Sequence, residues 1–205
     1  MEEYDVTNIA ELAEIVKLGY QTAAIEYRGQ KDSSILNLPI FQLWLSHIPL
    51  DGVIVELGCG SGYPIANHIA SISKGMSTNQ VFLKSEIGSQ LKYIGVDISD
   101  EQIQIARENL KGSHFFRNII ERSGHEDNIS FVVQEMLEWC RKQPDNSLHA
   151  FICLFSVFHL PRTFHVEFFQ HVQRICKPSA PILFTIPQNP CEGFEDSWLG
   201  VRVPL

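Results

Sequence analysis

The spacing of apolar positions changes twice along the chain. Over the first fifty residues it is helical: Ile9, Leu12 and Val16 fall on one face, and Tyr20, Ala23, Ala24 and Tyr27 continue the spacing. Asn8 with Glu11 resembles a capping box at the start of that helix. Lys31-Asp32-Ser33-Ser34 reads as a loop. Pro39, favourable in a first helical turn, opens a further helix carrying Phe41, Trp44, Leu45 and Ile48. The period then shortens. Residues 53–57 form a β-branched apolar run ending in Gly58-Cys59-Gly60-Ser61-Gly62, after which Ile65, Ile69 and Ile72 restore a helical stripe. The pattern is strand, tight loop, helix.

That unit recurs in looser form. Residues 91–96 read as a second strand that stops at Asp97. Ser99 then caps a helix with Gln102 as its capping-box partner, and Ile103, Ala106 and Leu110 form its buried stripe. Residues 129–133 and 148–155 read as the third and fourth strands. Phe164, Phe168, Val172 and Ile175 mark a helix closed by Lys177-Pro178, and 181–186 form a fifth strand. Strands alternating with helices imply a parallel sheet covered on both faces, joined by right-handed crossovers. Residues 71–90 carry no clear period and read as an insertion.

Composition narrows the function classes. The 205 residues are 44% hydrophobic and 20% charged, enough for one α/β domain with its own core. A net charge of −8 disfavours a nucleic-acid partner, because an acidic surface repels phosphates. The five cysteines are scattered and form no Cys-x-x-Cys pair, which points to small buried hydrophobes and away from a disulfide framework or a metal site. No basic, apolar leader opens the sequence, and no apolar stretch is long enough to cross a bilayer. The expectation is a cytoplasmic protein without a membrane partner.

Two features carry chemistry. Glycines at 58, 60 and 62 let the backbone bend sharply and approach a ligand. A pyrophosphate-binding fingerprint needs a glycine three places after the second, where Tyr63 stands, and here an acid, Glu56, precedes the loop. Both departures point toward a cationic, amino-acid-bearing ligand and against a nicotinamide dinucleotide. Asp97, at the carboxyl end of the second strand, has the chemistry to accept hydrogen bonds from the two hydroxyls of a ribose, although an acid there also caps helices.

Residues 53–66, 93–110, 129–139 and 148–162 resemble, in order, the successive motifs of class I S-adenosylmethionine-dependent methyltransferases. The resemblance implies a three-layer α-β-α, Rossmann-like sandwich with a mainly parallel sheet in the order 3-2-1-4-5. A helical N-terminal cap over 1–50 would precede an S-adenosylmethionine-binding domain over 51–205. It also implies roles: Gly58, Gly60 and Gly62 wrapping the methionine portion of the cofactor, and Glu56 beneath them acting on its amino end. Asp97 would hold the ribose and Ile98 lie against the adenine. Glu135 and Met136 would meet the adenine edge, Phe155 the methionine portion, and Tyr27 would supply an aromatic lid. The family often has Asp where Glu135 stands.

Methyl transfer from a sulfonium needs alignment and exclusion of water, and a general base only when the acceptor must lose a proton. His159, just past the fourth strand, is the candidate base; packing or capping of the next helix is its competing role. The segment Phe155-Ser156-Val157-Phe158 lacks the Asn/Asp-Pro-Pro-aromatic tetrad used on nucleic-acid bases, so a small molecule is the expected methyl acceptor. After the fifth strand about 19 residues remain, which implies shortened C-terminal strands. The fifth strand would then be an exposed edge inviting a homodimer, unless the tail folds back. The alternative to an enzyme is a catalytically inactive, cofactor-binding protein or regulatory subunit.

Overall fold

A computed structural model describes residues 9–27, 33–72, 90–112, 128–186, 194–198 and 201–204. Five strands form one parallel sheet in the order β3-β2-β1-β4-β5: β1 Val53–Leu57, β2 Lys92–Asp97, β3 Ile129–Val133, β4 Ala150–Cys153 and β5 Ile182–Phe184. All four pairings are parallel, with Ile54 opposite both Tyr93 and Ala150. The Rossmann-like order is the one the motifs imply.

Side chains alternate across the pleat, so each central strand feeds two cores. On one face Val55, Leu57, Val96, Phe151 and Cys153 pack with α5 Met136–Lys142 and α6 His165–Ile175 through Leu137, Phe168, Val172 and Ile175. On the other, Ile54, Tyr93, Ala150 and Ile152 pack with α2 Pro39–Ser46 and α3 Ile65–Ile72 through Phe41, Trp44, Ile65 and Ile69. The Trp44 indole N–H donates to the carbonyls of Phe151 (3.0 Å) and Pro181 (3.1 Å), pinning α2 across β4 and β5. Cys59, Cys140, Cys153 and Cys176 are free, buried thiols, as expected of small hydrophobes; Cys191 lies outside the described residues.

The N-terminal helical spacing is realised as one 19-residue helix, α1 Ile9–Tyr27, followed by a 3-10 turn at Ser34–Asn37. Asn8 of the expected capping box lies outside the described residues, as do 73–89 of the expected insertion. Strand β4 is shorter than 148–155. Leu148 makes only an isolated bridge with Cys176, and Phe155 leaves the sheet with a left-handed φ of 53°. Helix α5 has no counterpart in the sequence reading; its seven residues span too few turns to show a period.

The end of the chain differs from expectation in one respect. Two C-terminal strands do form, β6 Phe194–Trp198 and β7 Val201–Pro204, but as a separate antiparallel pair. A hairpin needs only a short connection, whereas extending the parallel sheet needs a crossover. Strand β7 lies against α1, so the tail folds back across the N-terminal helix. Strand β5 remains the sheet's edge among the described strands, with Ile182 and Phe184 exposed.

Candidate functional site

The carboxyl ends of β1, β2 and β4 open into a cavity of about 430 Å³. Open α/β sheets bind ligands at this end, where adjacent crossovers diverge. Its floor is the β1–α3 loop. The N–H groups of Gly58 and Cys59 both donate to the Val96 carbonyl (2.8 and 3.1 Å), folding the loop back over β2. A Cβ on Gly58 would stand 1.9 Å from Ser156 Oγ, with φ at 70°, so this position accepts no side chain. At Gly60, φ 50°, the nearest heavy atom to an added Cβ is Gln102 Oε1 at 3.8 Å, and the backbone there faces open cavity.

Asp97 bolts this loop to the next one. Its Oδ2 accepts the Gly60 N–H (2.8 Å) and its Oδ1 accepts the Ser99 N–H (2.9 Å). Burial raises its pKa above the usual carboxylate value, opposed by those backbone donors. The side chain therefore caps helix α4 Asp100–Gly112 and also lines the cavity; the two roles proposed for it are not exclusive. This arrangement corrects the capping box. Ser99 Oγ does accept the Gln102 N–H (3.2 Å), but Asp97 has taken the Ser99 N–H that the Gln102 side chain was expected to reach. The Gln102 amide is fully buried, and neither its oxygen nor its nitrogen finds a partner among the described residues.

Glu56 points from β1 into the second core face and lines the cavity, buried to 6% exposure. The Tyr93 hydroxyl donates to its Oε2. Burial, with Asp97 nearby, pushes the Glu56 carboxyl up to about 8 although the Tyr93 hydrogen bond opposes the rise. Tyr93 and the Cys59 thiol are pushed well up by the same burial and the same carboxylates. A cationic ligand would supply the positive charge this cluster lacks.

Glu135 is the N-cap of α5, its carboxylate accepting the N–H groups of Leu137 (2.9 Å) and Glu138 (2.8 Å). Burial raises its pKa. Ile98, Glu135, Met136 and Phe155 all line the cavity. Phe155 holds a strained left-handed backbone, braced by its N–H donating to Thr185 Oγ1 (2.6 Å). Gly62 stands apart from these. Gly62 faces Ala106 and Phe131, both 3.2 Å from an added Cβ, so it serves helix–sheet packing and does not line the site. The Tyr27 side chain lies outside the described residues.

The opposite wall comes from α1 and the segment after β4. Ile9, Ala13, Val16 and Tyr20 of α1 line it, as do His159, Leu160 and Pro161. The Tyr20 hydroxyl lies 2.8 Å from His159 Nε2, with the rings edge-on at 5.4 Å. The sequence reading missed Tyr20, Tyr93 and Ser156 as site residues. Tyr20 carried a usable signal: positions 9, 13, 16 and 20 share one helical face. No group of three or more metal-ligating side chains occurs among the described residues.

A family model described as a methyltransferase domain matches residues 54–179, more than half of the chain. The chain belongs to this family. S-adenosylmethionine is the cofactor that membership brings. The glycine-loop end fits such a group: open backbone at Gly60, a carboxyl in need of a cation at Glu56, and a carboxylate at the end of β2.

Among solved structures, the DhpI–SAH complex shares 18% identity at a TM-score of 0.61, covering 96% of this chain and 80% of its own. The DhpI–SAM–HEP complex shares 20% at 0.53, covering 86% and 64%. A complex of the Haloferax volcanii Trm112 methyltransferase activator with a putative methyltransferase shares 20% at 0.52, covering 80% and 57%. At these identities the likeness is one of fold. The chain spans between 41% and 64% of the length of the first three structures it matches. No protein of curated function matches it. No described helix is long and apolar enough to cross a membrane.

Proposed function

We propose that this chain is an S-adenosylmethionine-dependent methyltransferase acting on a small molecule. The observation that carries the reading is the meeting of Glu56, Gly58, Gly60, Asp97 and Ile98 around one cavity at the carboxyl ends of the strands. In this reading Gly58 and Gly60 approach the methionine portion of the cofactor and Phe155 flanks it. Glu56 faces its cationic end. Asp97 receives the ribose hydroxyls on the lone pairs its backbone donors leave, with Ile98 against the adenine and Glu135 and Met136 at the adenine edge. His159 is the base where the acceptor must lose a proton.

A cavity of this size suits a small ligand. The net charge of −8 speaks against a nucleic-acid acceptor. Residues 1–50 act as a cap that completes the site of the domain over 51–205, since α1 supplies one cavity wall. Buried free thiols suit a reducing, cytoplasmic setting. The exposed apolar positions on β5 suit pairing of two copies along that edge.

Calorimetry with S-adenosylmethionine, S-adenosylhomocysteine and NAD tests the cofactor. Binding of the first two and not of NAD is expected, and NAD binding alone would overturn the reading. Release of S-adenosylhomocysteine on addition of metabolite pools is the expected sign of catalysis. Binding with no release across broad pools would move the assignment to a regulatory, cofactor-binding protein.

A further inference from the structure

We propose that Tyr20 and His159 form a proton relay for a phenol-type acceptor, an uncharged aromatic hydroxyl compound held in the α1 half of the cavity. The inference rests on the methyltransferase reading and goes beyond it in naming the acceptor class and a second reacting residue.

The two side chains come from parts of the chain 139 residues apart, meet at 2.8 Å, and both line the cavity. Tyr20 projects from α1, and His159 ends the 3-10 turn Val157–His159 that follows β4. Around them the wall is apolar: Ile9, Ala13, Val16, Leu160 and Pro161. An acceptor seated there buries a hydrocarbon body and presents one polar atom to the pair. Among the described residues that line the cavity the acidic groups are Glu56, Asp97 and Glu135, and no lysine or arginine lines it. Ionised Asp97 and Glu135 favour an uncharged acceptor over a carboxylate or phosphonate.

The hydroxyl chemistry follows from the pair itself. With the imidazole proton on Nδ1, Tyr20 donates to Nε2, so the phenol oxygen stands ready to receive a proton as it gives its own away. A phenol acceptor and a tyrosine are the same kind of acid, which makes transfer between them nearly thermoneutral. An aliphatic alcohol is too weak an acid for the relay, and an amine needs no proton removed before it attacks. In the transfer, the acceptor proton passes to the Tyr20 oxygen while Tyr20's own proton passes to Nε2, leaving an imidazolium. The acceptor oxygen forms a bond to the methyl carbon. The carbon–sulfur bond breaks with its electron pair on sulfur, so the sulfonium donor departs as a neutral thioether.

The test uses the full chain with S-adenosylmethionine and three probes of one shape: 4-methylphenol, 4-methylaniline and 4-methylbenzoate. Release of S-adenosylhomocysteine is followed for each. The phenol is expected to turn over at least about tenfold faster than the others. Equal or faster methylation of the amine or the carboxylate overturns the acceptor class. Tyr20→Phe and His159→Gln are each expected to lower kcat for the phenol by about 100-fold, and the double variant by little more than either alone. Affinity for S-adenosylhomocysteine should stay within about twofold of wild type in all three. Retained turnover in Tyr20→Phe, or losses that simply multiply in the double variant, would overturn the relay. The probe ranking needs only wild-type protein and stands even where a variant fails to fold. Cofactor binding without turnover of the phenol sinks this proposal alone, whereas absence of S-adenosylhomocysteine binding sinks the methyltransferase reading beneath it.

Discussion

The two walls of the cavity are held by different forces. The glycine-loop wall is backbone: Gly58 and Cys59 fold onto the Val96 carbonyl, and Asp97 ties Gly60 to Ser99. The Gly58, Cys59 and Gly60 N–H groups are all held by residues of the neighbouring strand β2. The α1 wall is side chain: a helix whose contacts include Tyr20 with His159, Gln21 Nε2 with Asp100 Oδ1 (2.5 Å), and strand β7 packed along it. A ligand group common to every turnover suits the stiff wall. A group that must enter and leave suits a wall built of side chains.

That contrast can be broken from the stiff side first. Glu56 folds with a carboxyl raised from 4.5 to about 8, so between those values the folded state holds a proton that the unfolded chain releases. Its contribution to stability is complete below about pH 4.5 and lost as pH rises through 8. Urea denaturation should show stability falling by up to about 4 kcal/mol over that window, with Glu56→Gln flattening the slope. An unchanged slope in the variant would remove Glu56 as its source. The same sign predicts proton release on binding a cationic ligand, and affinity that climbs from pH 6 to 8. Calorimetry at matched pH in buffers of different ionisation enthalpy reads it directly.

Gly58→Ala should cost roughly 3 kcal/mol of stability, since the new methyl meets Ser156 Oγ at 1.9 Å on a left-handed backbone. Ser156→Gly in the same chain should return part of it, and a silent Gly58→Ala would contradict the tight loop. Asp97→Ala should weaken cofactor binding by about 1–3 kcal/mol, with a further loss of stability from two orphaned N–H groups. A folded variant of undiminished affinity would end the ribose assignment. On the softer wall, Gln21→Ala removes an exposed contact and should alter cofactor affinity by less than about twofold. A larger change would show that α1 is as rigid as the loop opposite.

What could be read ahead of the structure follows the same division. The loop wall is made by contiguous residues whose special backbone demands select glycine, and glycine is conspicuous in a sequence. Asp97 and Glu56 lie at strand ends, where position along a short apolar run already implies position in the sheet. Gly62 carries two readings, because the residue type reports a close approach without saying whether a ligand or Phe131 makes it. Glu135 was recognised by its place after β3 but not as the cap of a helix too short to show periodicity. Tyr93 looked like any aromatic strand residue until its hydroxyl was found on Glu56.

Periodicity and the glycine–acid spacing by themselves determined the α/β class and pointed to a cationic, amino-acid-bearing ligand; the cofactor and the residues assigned to it came from the family resemblance. The class and the ligand type depend on contacts between near neighbours in the chain, and the local pattern records them. The pairing of Tyr20 with His159 and the return of the C-terminal hairpin onto α1 were decided only when distant segments packed together. Such contacts leave no fixed spacing behind, because the chain between the partners can be of any length.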